Sequence, residues 1–213
     1  MVNQLKFKGI LIVISSPSGA GKTSLANSIV EENENISFST SVTTRPPRDG
    51  EKNGREYHFV EKDQFNLMIK NKRFIEYAEV FGNYYGTPKD QIEKLLNNGK
   101  DIIFDVDWQG GTKIRNSYLS SLVVSIFILP PSIKTLHERL LNRNKDDDKT
   151  VKLRMKESRS EISHWSEYEY IMINDNFDKV KRNILKIIEI EKMKRKKQIH
   201  FPDFISKLNN EFD

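Results

Sequence analysis

Residues 10–30 read ILIVISSPSGAGKTSLANSIV, and this stretch decides the fold. Its first part, residues 10–14, is a mostly β-branched apolar run, which is typical of a strand covered on both faces. A turn rich in Gly and Ser follows at once, and helical spacing continues from Lys22 to Glu32. A strand, a glycine-rich turn and a helix in this order are the setting in which a phosphate-binding loop (P-loop) works.

The turn carries the residues that such a loop needs. Its backbone N–H groups would point at bound phosphate, with no side-chain carboxylate in the way. Lys22 would pair with β- and γ-phosphate oxygens, and the Thr23 hydroxyl stands where a Mg²⁺ ligand is needed. Ser16 replaces the first glycine of the usual pattern, so a positive φ there would strain it by about 1 kcal/mol. An ordinary turn between strand and helix is the alternative. The residues expected to bind ATP here are Ser16, Pro17, Ser18, Gly19, Ala20, Gly21, Lys22 and Thr23.

Further along the chain, buried-strand runs recur at residues 102–106, 122–129 and 170–173, each followed by a segment compatible with a helix. This alternation predicts an α/β fold with a doubly wound parallel sheet and ligands at the carboxyl ends of its strands. Asp105 and Asp107 end the run IIFDVD, where an acid would hold Mg²⁺, usually through water. The alternative for this pair is that it caps the next helix.

The length of 213 residues allows one α/β domain with small inserted lobes. The segment 37–88 breaks the strand–helix rhythm and predicts an inserted mixed lobe, and the polar stretch RNKDDDKT predicts a helical lid. We therefore expect a single domain over residues 1–213, with a core of residues 1–36, 89–142 and 161–192, a lobe of 37–88, a lid of 143–160 and a basic tail of 193–213.

The amino-acid composition limits which other functions the chain can have. A formal charge of +5 and a pI near 9.2 suit an anionic partner without separating nucleotide, nucleic acid and membrane. The KMKRKK run lacks interleaved aromatic residues, so it favours a solvated helix face over nucleic-acid binding. The absence of cysteine excludes disulfides and thiolate chemistry and suits the cytoplasm. The apolar run at residues 10–14 is too short to span a membrane. The histidines show no metal-ligand spacing and are expected in packing or surface roles: His58, His137, His164 and His200.

Beyond the loop, four segments carry a resemblance to a known family: SVTTRPPRDGEKNGREYHF, FIEYAEVFGNYYGTP, DVDWQGG and SHWSEYEYIMIND. With the P-loop they resemble the guanylate kinases from about residue 9 to about residue 190, with compatible spacing throughout. The resemblance implies transfer of the terminal phosphoryl group of ATP to GMP, and to dGMP as well, in purine nucleotide metabolism. It also implies Mg²⁺ as cofactor, GMP and ATP as partners, and a GMP-binding role for the lobe.

The residue types of the lobe suit a mononucleotide. Arg pairs bidentately with phosphate, and guanine offers N–H donors on one edge that carboxylates accept. A site built for one base edge can reject the wrong base by roughly 10⁴. Ordinary aromatic packing and solvated loop charges are the alternatives for the tyrosines and arginines. The resemblance implies that the phosphate is held by Arg45, Arg48, Tyr57 and Tyr85, and guanine by Glu76, Asp107, Ser41 and Thr87. It also matches Glu51, without a role that the chemistry gives.

The lid and the end of the last strand complete the implied site. Arg139, Arg143 and Arg154 fall at the family's spacing for the lid and its hinges, where they would act on the transferring group together with Lys22 and Arg45. A solvated basic helix face is the alternative. The lid stretch NRNKDDDKT departs from the family's usual lid, which contains Gly and Thr. Asn174 matches the position that touches adenine.

Two other functions remain open at this point. The first is a kinase for AMP or a pyrimidine monophosphate, which the acidic base-edge acceptors disfavour. The second is a scaffold module that binds phosphorylated peptides, which the intact Lys22, Thr23, Arg45 and Arg48 disfavour. A homodimer is left open by the sequence.

Overall fold

A computed structural model describes residues 9–48, 50–55, 57–80, 82–142, 148–198 and 201–212, with the backbone alone at 148–150. The strands are β1 Leu11–Ser15, β2 Ile36–Phe38, β3 Ser41–Thr43, β4 Tyr57–Phe59, β5 Phe74–Val80, β6 Asn83–Pro88, β7 Asp101–Asp105, β8 Val123–Leu129 and β9 Tyr170–Ile173. The helices are α1 Lys22–Glu32, α2 Lys62–Lys70, α3 Lys89–Asn97, α4 Trp108–Arg115, α5 Ile133–Leu141, α6 Asp148–Ser163, α7 Phe177–Met193 and α8 Phe201–Asn209.

The larger sheet has five strands in the order β2-β7-β1-β8-β9, and all its pairings are parallel. β1 lies at the centre, with two strands on either side, and every one of its residues is buried. This confirms the predicted α/β fold with a parallel core. β2 was not expected in the core, and it places residues 36–38 in this sheet.

The two faces of the larger sheet pack against different helices, as the alternation of side chains along a strand requires. Ile12 and Ile14 join the apolar cluster on the side of α1 and α7. Leu11 and Val13 join the cluster that contains Ile92 of α3 and residues of α4. Because both faces are covered, the strands need no polar side and read as continuous apolar runs.

The smaller sheet has four strands in the order β4-β3-β6-β5 and is mixed. β3 pairs with β4 in parallel, while β6 runs antiparallel to both β3 and β5. Its core consists of three buried residues, Val42, Phe65 of α2 and Phe74. Gly86 is required here, because a Cβ on it would lie 2.9 Å from the Phe74 ring. This sheet is the inserted mixed lobe that the sequence predicts, and the lobe boundaries remain a prediction.

α5 and α6 form a helical pair beside the larger sheet. Leu136 and Leu140 of α5 pack against Val151 of α6, with Met155 next to them. Among the helices in the described ranges, none is long and apolar enough to cross a membrane.

The basic run near the end of the chain contributes to the fold. α7 ends at Met193, within the KMKRKK run. Lys192 pairs with buried Asp101 at 2.8 Å, while Lys194 and Lys197 pair with buried Glu191 at 2.5 and 2.8 Å. Burial alone would raise the pKa of Glu191, but hydrogen bonds from its partners lower it to about 2. The prediction of a solvated helix face is therefore wrong for Lys197, whose side chain is 6% exposed.

Candidate active site

Two clefts meet at the carboxyl ends of β1 and β7. The first, here the loop cleft, has a volume of about 640 Å³ and is lined by the P-loop, Arg139, Glu161 and Asn174. The second, the lobe cleft, has a volume of about 560 Å³ and is lined by α1 and by residues of the smaller sheet. Thr23 lines both clefts. Parallel strands place ligand sites at this edge of a sheet, so the P-loop lies where two ligands can approach each other.

The loop's backbone depends on two glycines. Gly19 has a φ of 89° and Gly21 a φ of 96°, a region that L side chains rarely adopt. A Cβ on Gly21 would also lie 2.5 Å from Asn174 Nδ2. Among the described residues other than glycine, positive φ occurs at Lys72 and not at Ser16. The position of the missing first glycine therefore puts no strain on Ser16, whose hydroxyl donates to the Pro17 carbonyl at 2.9 Å.

Lys22, Thr23 and Asp105 form one polar cluster. Asp105 ends β7, which lies next to β1 in the sheet, and its carboxylate pairs with the Lys22 ammonium. The Thr23 hydroxyl donates to Asp105 Oδ2 at 2.6 Å. The structure therefore brings together the two residues predicted to serve the metal. A hydroxyl and a carboxylate are hard oxygen ligands, and Mg²⁺ usually takes one or two protein oxygens and completes its shell with phosphates and water. Among the described residues there is no group of three or more His, Cys, Asp or Glu side chains that could hold a metal ion.

Asn174 lines the loop cleft, but its side-chain amide already forms a hydrogen bond with the P-loop backbone. Its Nδ2 donates to the Ala20 carbonyl at 2.8 Å, and the residue is 4% exposed. Arg139 donates to the Asn174 carbonyl at 3.1 Å and to the Ala20 carbonyl at 3.4 Å. Asn174 and Arg139 thus fix the P-loop to the end of β9, and a contact of Asn174 with adenine remains a prediction.

Helix α6, which contains most of the predicted lid and the first residues of the predicted core segment after it, contacts the P-loop at Ser18. Arg154 Nη1 lies 3.5 Å from the Ser18 hydroxyl, and Glu161 accepts a hydrogen bond from the Ser18 backbone N–H at 3.1 Å. The expectation of a loop without carboxylates is therefore wrong, because α6 brings one from a distant part of the sequence. Sequence reasoning missed Glu161; the available signal was its spacing of seven from Arg154, which places both on one face of a helix. Arg143 lies outside the described residues.

A short turn in the lobe presents the predicted phosphate-binding arginines. Arg45 donates from one nitrogen to both oxygens of Glu51, at 2.8 and 2.9 Å, and the Arg48 backbone N–H donates to Glu51 at 2.7 Å. The hydrogen bond from Arg45 lowers the pKa of Glu51. Arg45 also lies over the Tyr57 ring, 5.4 Å from its centre, and that ring packs edge-on against Tyr85. The geometry gives Glu51 the role that the sequence left open, since it ties Arg45 to the turn that carries Arg48.

The predicted guanine acids occupy different surroundings. Glu76 of β5 is buried and accepts a hydrogen bond from the Thr87 hydroxyl of β6 at 2.7 Å. Burial raises the pKa of Glu76 to about 7, and nearby Asp107 adds to the effect. Asp107 is the N-cap of α4 and accepts from the Gly110 N–H at 2.8 Å, so the capping alternative is correct for it. It also lines the loop cleft.

The lobe cleft gathers several of the predicted residues and one that was not selected. Ser41, Glu51, Tyr57 and Asp105 all line it. Arg55 lines it as well, although the sequence reasoning did not select this residue from the quoted segment REYHF. The two clefts therefore differ in origin, since the first is built on the P-loop, which supplies backbone amides, and the second on side chains of α1, β7 and the lobe.

Comparisons with known proteins agree with this geometry. The guanylate kinase family model matches residues 8–191. The chain is similar to a guanylate kinase from Cereibacter sphaeroides, 46% identical over 206 residues, which is 97% of this chain and 98% of that protein. It is also similar to one from Rickettsia felis, 47% identical over 89% of this chain and 98% of that protein. The crystal structure of guanylate kinase from Anaplasma phagocytophilum matches with a TM-score of 0.76 at 36% identity, covering 93% of this chain and 94% of that chain.

Proposed function

Because the chain belongs to the guanylate kinase family and has that family's activity, we propose that ATP binds in the loop cleft and GMP in the lobe cleft. The observation that carries this assignment is the position of Thr23, which lines both clefts. A donor and an acceptor bound on its two sides would approach each other at the Lys22 cluster. Direct transfer requires such proximity of the two phosphates.

Phosphoryl transfer leaves the protein little covalent work, so the named residues would position the substrates and neutralise charge. The P-loop amides and Lys22 would bind the donor phosphates, and Lys22 would exchange its pairing with Asp105 for the phosphate oxygens. Arg45 and Arg48, with the hydroxyls of Tyr57 and Tyr85, would hold the GMP phosphate. No general base is needed, since the acceptor is already an anionic phosphate oxygen.

Magnesium fits this site through the oxygens of Thr23 and Asp105, which lie 2.6 Å apart. When bound, the cation would reduce the negative charge of the donor phosphates. Lys22 now neutralises Asp105, and its departure toward phosphate would free that carboxylate for the ion or for its water. The roles of Arg139 and Arg154 over the transferring group belong to the same proposal.

Recognition of guanine would depend on Glu76, Thr87 and Ser41. The Glu76 carboxylate, ionised, accepts from the guanine edge, whereas adenine would place a lone pair against it. The Thr87 hydroxyl already donates to Glu76 at 2.7 Å and fixes the direction of its remaining lone pairs. Buried acceptors that are left unpaired by the wrong base make such a site selective. Use of dGMP, a cytoplasmic location and a homodimer remain predictions.

A coupled assay that detects ADP with GMP, AMP, CMP and UMP, each with ATP and magnesium, tests the assignment. We expect turnover with GMP and at least about 10³-fold lower kcat/KM with AMP. The Glu76→Ala variant should lose much of this preference. A folded protein that turned over AMP as well as GMP would contradict the guanine role, and one without turnover of any monophosphate would contradict the enzyme assignment.

A further inference from the structure

Glu161 places a negative charge inside the loop cleft. It belongs to the lid helix α6, lines the cleft and is partly buried. Its Oε2 accepts the hydrogen bond of the Ser18 backbone N–H at 3.1 Å. Burial raises the pKa of Glu161 and Glu157 and Asp107 add to the effect, while the hydrogen bond from the Ser18 N–H and the charge of Lys22 oppose it. A carboxylate therefore already accepts the hydrogen bond of one backbone amide of the P-loop.

That contact has a consequence for any phosphate that enters the cleft. Backbone N–H groups of a P-loop bind anions, and a carboxylate oxygen is an anion acceptor of the same kind as a phosphate oxygen. One N–H group cannot point fully at two acceptors, and two like charges close together repel each other. A phosphate that takes the Ser18 amide must therefore displace Glu161.

The same helix contacts Ser18 a second time. Arg154 Nη1 lies 3.5 Å from the Ser18 hydroxyl, and positions 154 and 161 share a helix face. Ser158, between them, is buried, and its hydroxyl donates to the Arg154 carbonyl at 2.7 Å. This face of α6 thus rests on a single residue of the P-loop, with one contact to its backbone and one to its side chain.

The end of α6 is fixed just beyond Glu161. His164 stacks on Trp108 of α4, with ring centres 3.6 Å apart, as expected for a packing histidine. Glu167 accepts from Arg115 of α4 at 2.7 Å and lies 2.5 Å from His164 Nδ1. Because the helix is tied to α4 three residues after Glu161, the carboxylate can leave Ser18 by a change of its own rotamer without detaching that end.

We propose that Glu161 is a positioning residue of the donor site, whose carboxylate holds the Ser18 amide and the lid helix until a phosphate of ATP takes over that amide. The inference rests on the proposed function, since it requires ATP in the loop cleft. Glu161 then weakens ATP binding, because its charge must be displaced, and arrival of the donor removes the contact between this residue of α6 and the Ser18 amide. This residue therefore couples the P-loop to the lid.

The test is the substitution Glu161→Gln, which keeps the size of the side chain and an acceptor oxygen but removes the charge. We expect the Kd of ATP, measured by calorimetry with magnesium, to fall about fivefold. The Kd of tripolyphosphate should fall by a similar factor, and that of adenosine should not change, because only phosphate competes for the Ser18 amide. Glu138→Gln removes the same charge from an exposed position on α5 that lines neither cleft, and it is expected to leave all three constants unchanged.

The outcomes separate the inference from the proposed function. A merely structural role would weaken ATP, tripolyphosphate and adenosine together, and it could not tighten the two phosphate ligands alone. An unchanged or higher Kd of ATP in Glu161→Gln, at an unchanged Tm, would overturn the role of Glu161 while leaving the ATP site in place. If Glu161→Gln lowers the Tm, Glu161→Ala measured well below its own Tm gives the same comparison. Failure of the unmodified protein to bind ATP would instead contradict the proposed function.

Discussion

The loop cleft and the lobe cleft solve the same problem, holding phosphate, with different parts of the chain. In the loop cleft the P-loop offers backbone amides and Lys22 to the ligand, and other side chains bind the loop's backbone, as Asn174 binds the Ala20 carbonyl. In the lobe cleft the groups are side chains such as Glu51, which also binds Arg45 of the same turn. The first rests on a five-stranded sheet covered on both faces, and the second on a four-stranded sheet with a core of three buried residues.

Because of this difference, we expect substitutions in the loop cleft and in the lobe to have different effects on binding. A backbone amide survives any change of side chain, so most of the loop cleft's binding should persist in single variants. A charged side chain is lost with its substitution, so single changes in the lobe should weaken GMP strongly and leave ATP alone. The exception in the loop cleft is Lys22, since its ammonium group is the one charged group that the P-loop itself supplies.

The largest effect is expected for Lys22→Ala. Loss of the ammonium group should lower kcat by about 10³-fold, because its interaction with phosphate strengthens as charge moves in the transition state. The amides of the P-loop remain, so the KM of ATP should change much less. Lys181→Ala is the matched control, since the Lys181 side chain is buried to a similar degree, forms an ion pair with Glu32 and does not line either cleft. A Tm lowered as much as by a core deletion would contradict the ligand-facing role of Lys22.

Glu76→Ala should come next, with a rise of about 100-fold in the KM of GMP and little change for ATP. The buried carboxylate is lost, and the Thr87 hydroxyl that donates to it is left without that partner. Steady-state kinetics with each substrate varied in turn measure both constants. Glu79→Ala, on the same strand but exposed, should behave like the unmodified protein. Equal effects on ATP and GMP would mean that Glu76 supports the fold and does not read the base.

The sequence could predict the loop cleft's backbone because its signals are local. A buried apolar run, a turn with Gly19 and Gly21 and a helix follow one another directly, and the structure has them within a residue or so of the expected bounds. β2 was not predicted, because three residues are too few to show the side-chain alternation of a strand. The contacts between the P-loop and distant side chains were not predicted for another reason. Asn174 binds Ala20 and Glu161 binds Ser18, and each pair is separated by more than a hundred residues, so only the folded sheet brings them together.

In the lobe, by contrast, the role of Glu51 could have been predicted from nearby residues, although no role was predicted for it. Glu51 is six residues from Arg45, and the rigid Pro46-Pro47 pair limits the paths between them. A turn that returns the chain would place the acid beside the guanidinium, where the structure has it. The resemblance marked Glu51 as a site residue, and the geometry supplies its reason.

Glu51→Gln tests that reason and should raise the KM of GMP by about tenfold, since Arg45 loses a charge-assisted partner that fixes its direction. The substitution should weaken the contacts to the phosphate of GMP and leave those to the guanine base unchanged. Binding of guanosine, measured by calorimetry, is therefore expected to be unchanged in this variant. Glu61→Gln, an exposed acid at the start of α2, serves as control. Loss of guanosine binding to the same degree would show that Glu51 supports the whole lobe.

The smallest expected effect is a dependence of GMP binding on pH. Burial raises the pKa of Glu76 to about 7, so the free protein carries Glu76 partly protonated at neutral pH. The protonated form has lost an acceptor for the guanine N–H groups, so kcat/KM for GMP should fall as the pH drops, by about fourfold between pH 8 and pH 6.5 for a single group of that pKa. The ionised form is the one that GMP selects, so binding near pH 7 should release protons, which calorimetry in buffers of different ionisation enthalpy detects.

The phosphate of GMP also titrates near this range, and the Glu76→Gln variant separates the two groups. Its profile should contain the titration of the nucleotide alone, because glutamine carries no ionisable proton. The difference between the two profiles then belongs to Glu76. Binding of ATP to the loop cleft should not share this difference, because Glu76 lies in the smaller sheet and does not line that cleft. A difference of the same size for both substrates would mean that Glu76 influences both clefts, and it would remove the contrast between them.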